Sequence, residues 1–212
     1  QGNFKGVFNP SMAGKRVQRG EVWLRGPNVS PGYFKNPKET AEVFDREGWL
    51  HTGDVGQWEQ DGTLRIIDRK KNIFKLAQGE YVSPETCEAA IGTSKWVGQI
   101  WVHGSSFETC VVCVVVPDVD VIKKYGKDNS LGDNVAEIVA KSEVKQMIFD
   151  DMIAVSKSCK LRSFELPKDV HFETDTNELG VAWTTENDCA TPTMKLKRPA
   201  LVKRYQKLVD KM

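Results

Sequence analysis

The feature that most constrains this chain is a change of pattern across residues 68–71. Upstream, apolar residues alternate with polar ones in short runs, "EVWLRG" and "GTLRIIDR", separated by turn-rich stretches such as "PNVSPGYFKNP" and "EQDG". That pattern predicts small β-sheet structure over residues 20–68, interrupted by a short helix at "KETAEVF". From Ile73 onward the elements are mixed. A hairpin "IFKLAQGEYV" is followed by a helix starting at Pro84 with Ser83 as its cap, and then by the strands "GQIWVHG" and "TCVVCVVV". Helices are predicted over 119–125, 134–140 and 143–156, a strand at "KDVHFET", and a last helix over 199–211 with Pro199 in its first turn. Its apolar residues Leu201, Val202, Tyr205, Leu208 and Val209 keep helical spacing, which marks a packed face. The expected fold class is α+β, a small β-rich part followed by a compact α+β module.

A chain of 212 residues can hold one large domain or one domain and part of another. Thirty Lys and Arg against 29 Asp and Glu leave a formal charge of +1, so no global basic field recommends nucleic acid or an anionic membrane as partner. The longest purely apolar run, 111–116, is far below the ~18 residues of a membrane-spanning helix. The opening "QGNFKGVFNPSMAGKR" reads as neither a secretory signal nor a transit peptide, and its abrupt start suggests a fragment. Five cysteines, odd in number and scattered, fit a reducing, intracellular compartment. Cys110 and Cys113 form a CxxC within what reads as a Val-rich strand, with no second pair at metal-ligand spacing, so a metal site is not expected.

Three stretches carry groups that could do chemistry. In "GWLHTGD", Gly53 lets a ligand approach the backbone and Asp54 offers two acceptor oxygens suited to a vicinal diol, although Thr-Gly-Asp is by itself an ordinary turn. In "IIDRKKNIFKLAQGE", Arg69 could fork onto hydroxyls or phosphate, while Lys75 lies on a hairpin ending at Gly79; a solvated basic strand edge is the plainer alternative. In "TPTMKLKRP", Lys195, Lys197 and Arg198 precede a helix and could bring a point charge to a reacting phosphate. No G-x-x-x-x-G-K-[ST] or G-x-G-x-x-G occurs, and His51, His103 and His171 are widely separated and read as structural.

Together and in order, the segments resemble the C-terminal third of an adenylate-forming enzyme, specifically a long-chain fatty acyl-CoA synthetase, from about Gly20 to Met212. "GEVWLRGPNVSPGYFKNPKET" is similar to that family's GE-x-x-x-RGP-x-x-x-x-GY-x-x-x-P-x-x-T segment, "EGWLHTGDVGQWEQDGTLRIIDRKKNIFKLAQGEYVSPE" to its longest motif block, and "ENDCATPTMKLKRPAL" to its C-terminal lysine motif. Three ordered motifs are more specific than any one of them. The resemblance implies that Asp54 and Arg69 hold the nucleotide, that Lys195 is the catalytic lysine of adenylation, and that Lys71 is the hinge. It also implies that Gly79 lines the path of CoA, with Lys75 beside it. The implied division is 1–70, the C-terminal β subdomain of a large AMP-binding domain, and 71–212, a mobile C-terminal lid domain.

The implied cofactors and substrates are ATP, Mg, CoA and a fatty acid, joined through an acyl-adenylate. The remainder of the same polypeptide would supply the phosphate loop and acyl tunnel, so the fragment alone is expected to be inactive. The open choices of location are the cytosolic face of the endoplasmic reticulum, a peroxisome-like membrane or a mitochondrial membrane. Met194 stands where many relatives have Gly. Alternatives are another acyl- or aryl-CoA ligase of the superfamily, or a non-catalytic module that binds nucleotide and CoA.

Overall fold

The structure is a computed structural model that describes residues 19–59 and 61–212. Residues 1–18, which the sequence reading assigns to the start of the β subdomain, and Gln60 of the "EQDG" turn lie outside the described residues. The chain divides into two compact units, 1–73 and 74–212.

In the first unit, β1 (Arg19–Leu24), β2 (Leu50–Trp58) and β3 (Leu64–Arg69) form an antiparallel sheet in the order β1-β2-β3. Helix α1 (Pro37–Val43) starts where Asn36 accepts the Glu39 N–H at 3.2 Å, with Pro37 filling a first-turn position that needs no donor. Within the stretch 20–68 that reads as β structure, the central strand β2 is not itself singled out, because Thr52-Gly53-Asp54 is by itself an ordinary turn. The structure corrects this, because Gly53 holds φ +73° inside the strand and thereby bends it without ending it. Lys70, which reads as merely solvated, instead pairs with Glu21 of β1 at 3.0 Å.

The second unit opens with a short hairpin, β4 (Phe74–Lys75) and β5 (Tyr81–Val82), followed by α2 (Pro84–Ile91), whose first turn Ser83 caps through the Thr86 N–H. Its main sheet joins β6 (Val97–His103), β7 (Val111–Pro117) and β8 (Pro167–Phe172) in the order β6-β7-β8. β6 and β7 are antiparallel, whereas β7 and β8 are parallel. A parallel neighbour requires a crossover, supplied by α3 (Val119–Asp128), α4 (Val135–Ala140) and α5 (Ser142–Ser158). The terminal helix α6 spans Arg198–Val209.

The run "VVCVVVP" is buried from end to end because both faces of β7 are covered. Successive side chains point to opposite sides, so the strand splits between two cores. Val111, Cys113 and Val115 join Ile91, Ile122, Ile138, Ile148 and Met152 under the helices. Val114 and Val116 join Trp101, Trp183, Leu201 and Tyr205 on the other face. Cys110 is not in the strand but precedes it, and burial pushes the Cys113 thiol far above its ordinary value. Close packing also fixes Gly126 in α3, where a Cβ would fall 2.3 Å from the Gly132 carbonyl oxygen. No helix among the described residues is long and apolar enough to cross a membrane.

Candidate functional site

The candidate residues fall in both units, and each set is built by its own local physics. In the first unit the antiparallel register sets Asp54 of β2 opposite Arg69, the last residue of β3. Cross-strand partners on one face are near neighbours, so opposite charges there attract. Arg69 Nε lies 2.9 Å from Asp54 Oδ1, and its Nη1 donates to the Thr52 carbonyl at 3.2 Å. The Asp54 N–H in turn donates to Thr52 Oγ1 at 3.1 Å. The structure therefore holds these two residues, which lie in different sequence stretches, side by side as a carboxylate and a guanidinium.

Just beyond them Asp68 is buried at 2% exposure, and its Oδ1 accepts the Arg69 N–H at 2.6 Å and Asn72 Nδ2 at 3.1 Å. The Asn72 and Ile73 amides donate to the Arg69 carbonyl, closing a turn over 69–73. Lys71 sits exposed in that turn, and no partner for its side chain is found among the described residues. Asp68 was missed by sequence reasoning, although a carboxylate between an apolar strand and a turn is a recognisable pattern.

In the second unit Gly79 lies in the β4–β5 turn at φ +92°, a region that a Cβ disfavours. Its amide donates to the Leu76 carbonyl at 2.9 Å, and Leu76 donates to Glu80 at 2.8 Å. The turn is further fastened by Ala77 N–H to the Glu108 carbonyl at 2.9 Å and by Gln78 Nε2 to the Thr109 carbonyl at 3.0 Å. Lys75 extends along this hairpin, its ammonium 5.7 Å from the centre of the Tyr81 ring.

The third set separates sharply. A tight loop is closed by the Ala190–Leu196 bridge, by Thr191 N–H to the Lys195 carbonyl at 2.8 Å, and by Lys195 N–H to Thr191 Oγ1 at 3.1 Å. Met194 takes φ +59° in it, so the methionine adopts the left-handed conformation that a glycine would reach at lower cost. Leu196 turns into the core, Lys197 pairs with Asp188, and Arg198 is the first residue of α6. Arg198 forks onto Glu88, Nη1 to Oε1 at 2.9 Å and Nη2 to Oε2 at 2.6 Å. Lys195 alone of these three cations is exposed with no side-chain partner among the described residues.

The segment leading towards the loop is fastened as well. Gln99 of β6 accepts the amides of Ala182 and Trp183 at 2.9 and 3.0 Å and donates to the Trp183 carbonyl at 3.1 Å. Trp183 Nε1 donates to the Tyr205 hydroxyl at 2.9 Å, which donates to Glu173 at 2.5 Å. Burial tends to raise the Glu173 carboxyl, but the hydrogen bonds from Tyr205 and the Asp175 amide and the nearby Arg204 outweigh it and leave it below its ordinary value. Burial dominates at Glu88, which is pushed up despite the Arg198 guanidinium. Among the described residues no group of three or more His, Cys, Asp or Glu gathers as a metal site.

No family model matches the chain. Over 193 residues it is 42% identical to human long-chain-fatty-acid–CoA ligase 6, covering 91% of this chain and 27% of that protein. Over 194 residues it is 42% identical to long chain acyl-CoA synthetase 5 of Arabidopsis thaliana, covering 92% and 28%. The chain thus spans about a quarter of the length of these curated relatives. Among solved structures, it is similar to the adenylation domain of a carboxylate reductase from Mycobacterium chelonae, with TM-score 0.79 and 32% identity over 98% of this chain and 30% of that one. It is also similar to the A domain of a carboxylic acid reductase from Segniliparus rugosus in complex with AMP and a co-purified carboxylic acid, with TM-score 0.78 and 33% identity over 97% of this chain and 30% of that one. The mixed α+β fold is that of the corresponding part of these adenylation domains.

Proposed function

We propose that this chain, whose homologues are long-chain-fatty-acid–CoA ligases, is the carboxy-terminal part of an ATP-dependent ligase that converts a long-chain fatty acid to its acyl-CoA. The observation that carries the reading most directly is the state of Lys195, an ammonium with no partner among the described residues, on a fastened loop just before two cations, Lys197 and Arg198, whose charges are already engaged. A carboxylate attacking the α-phosphate of ATP brings like charges together, and an ammonium aimed at the reacting atoms offsets that repulsion. Asp54 accepts the ribose hydroxyls and Arg69 steadies the same nucleotide. Their mutual pair is exposed, with side chains 33% and 60% accessible, so it is worth at most about 1 kcal/mol and yields readily to a ligand.

The second half-reaction transfers the acyl group from the adenylate to the CoA thiol. The narrow arm of CoA passes Gly79, where the absence of Cβ leaves the backbone open, and Lys75 on the same hairpin contacts CoA or the nucleotide. Lys71 is the pivot of residues 71–212, which present first the lysine loop and then the hairpin. Mg would be carried by the phosphates of ATP, since no group of three or more His, Cys, Asp or Glu among the described residues gathers to hold it, and would supply neutralisation of phosphate charge.

The test is fatty-acid-dependent pyrophosphate exchange. The full-length enzyme is expected to show it with long-chain acids and the isolated 212 residues to lack it. Exchange by the isolated chain would overturn the division of labour. A second reading, a ligase or adenylating enzyme for another carboxylic acid, is favoured by the likeness to carboxylic acid reductases, and an acid panel on the full-length enzyme separates the two.

A further inference from the structure

Glu88 is nearly enclosed, and every donor it receives comes from a different element from its own. Its Oε1 accepts Arg198 Nη1 and the Val102 amide of β6 at 2.9 and 2.8 Å, and its Oε2 accepts Arg198 Nη2 at 2.6 Å. The two side chains are 11% and 16% exposed and 110 residues apart in sequence. Three segments therefore meet at one carboxylate: α2, the end of β6 and the first residue of α6.

Each of those segments leads directly to a candidate functional group. Helix α2 begins at Pro84, just after β5 of the Gly79 hairpin. Strand β6 runs into residues 104–110, where the Glu108 and Thr109 carbonyls accept the Ala77 N–H and Gln78 Nε2 of that hairpin. Helix α6 begins with Arg198 itself, directly after the loop that carries Lys195. A buried ion pair is a poor device for stability, because a well-packed apolar pair of the same size serves as well or better. What an apolar pair lacks is direction: a guanidinium fork on a carboxylate fixes both distance and angle.

We infer that Glu88 and Arg198 are positioning residues, joining the Lys195 loop and the Gly79 hairpin into one rigid body so that either can be presented without disturbing the other. The inference rests on the reading of Lys195 and Gly79 given above. It predicts that breaking the fork loosens both half-reactions, whereas each of those two groups serves one.

The test uses the full-length enzyme carrying Glu88→Leu with Arg198→Met, which removes the pair without leaving a lone buried charge. Midpoint temperature, pyrophosphate exchange, and thioester formation from supplied acyl-adenylate are measured side by side. The expected result is a melting temperature lowered modestly, because the buried Val102 amide loses its acceptor, with kcat lowered by about 10²-fold in exchange and by tenfold or more in thioester formation, and KM for ATP little changed. Parent kcat in both steps overturns the inference. Should the double variant not fold, Arg198→Lys decides: it keeps the charge and loses the fork, and parent kcat there overturns the inference equally. Lys195→Ala run in parallel keeps the two readings distinct. If it leaves exchange intact, the assignment of the site fails; if it abolishes exchange while the pair variants keep kcat, only the positioning role falls.

Discussion

The β2–β3 end of the first unit and the Lys195 loop of the second solve opposite problems with the same residue types. In the first, cation and carboxylate face each other across a strand pair and engage one another, Arg69 Nε to Asp54 Oδ1 at 2.9 Å. In the second, Lys197 and Arg198 have their own carboxylates, Asp188 and Glu88, and Lys195 between Met194 and Leu196 has none among the described residues. On the function proposed above, a nucleoside presents hydroxyls that want both an acceptor and a donor, so a loosely held pair suits it. A reacting phosphate wants uncompensated positive charge, which is available only where competing carboxylates are occupied elsewhere. The contrast teaches that a partner list separates cations which sequence alone makes equivalent.

The sharpest way to break this comparison is to neutralise the loop cations one at a time in the full-length enzyme. Lys195→Ala is expected to lower the rate of adenylation about 10²- to 10³-fold with thioester formation from supplied adenylate much less affected, whereas Lys197→Ala changes either by only a few-fold. Equal losses in both variants would show that the pairing of Lys197 with Asp188 carries no meaning. On the other side of the comparison, Asp54→Ala removes charge-assisted hydrogen bonds worth about 1.5–3 kcal/mol, so AMP affinity measured by calorimetry is expected to fall about ten- to hundredfold. Arg69→Ala, which frees Asp54 from its exposed partner, is expected to have the smaller effect of the two.

A milder probe is acid. Burial holds His103 and His171, both in the second unit, below the ordinary imidazole value of about 6.5. A folded state that resists protonation loses stability as pH falls below the unfolded value, since the unfolded chain then binds more protons. Glu173, held low, adds stability that is present above the ordinary carboxylate value and is lost as pH falls through its lower folded one. The melting temperature is therefore expected to drop between pH 7 and 5, and His103→Gln to reduce that drop; an unchanged drop would remove His103 from the account. The smallest effect concerns backbone. Met194→Gly relieves a left-handed φ of +59° at a cost in chain entropy, so thermal unfolding is expected to shift by no more than about 1 kcal/mol, towards greater stability.

Much of the fold was legible because its determinants are local. Asn36, Ser83 and Asp118 cap helices that begin where they stand, and Pro37, Pro84 and Pro199 mark first turns. The spacing of Val144, Ile148 and Met152 is enough to give α5 its buried stripe. The strand β2 was hidden for an equally local reason: Gly53 carries a turn-like φ inside it, and only the pairing with β1 and β3 keeps the segment extended. The candidate residues were legible as a set of motifs. Which of them touch, and what holds them, was not.

By itself the sequence determined where the capped helices begin and that a run of valines such as that of β7 forms a buried strand. Only the tertiary structure decided that β7 and β8 run parallel, that Gln99 pins Ala182 and Trp183, and that Glu88 claims Arg198. Caps and periodicity act within a few residues, and so are written in neighbouring letters. The choice of partner for a charge is made by proximity across 110 residues of chain, which exists only once the cores on both faces of β7 have closed.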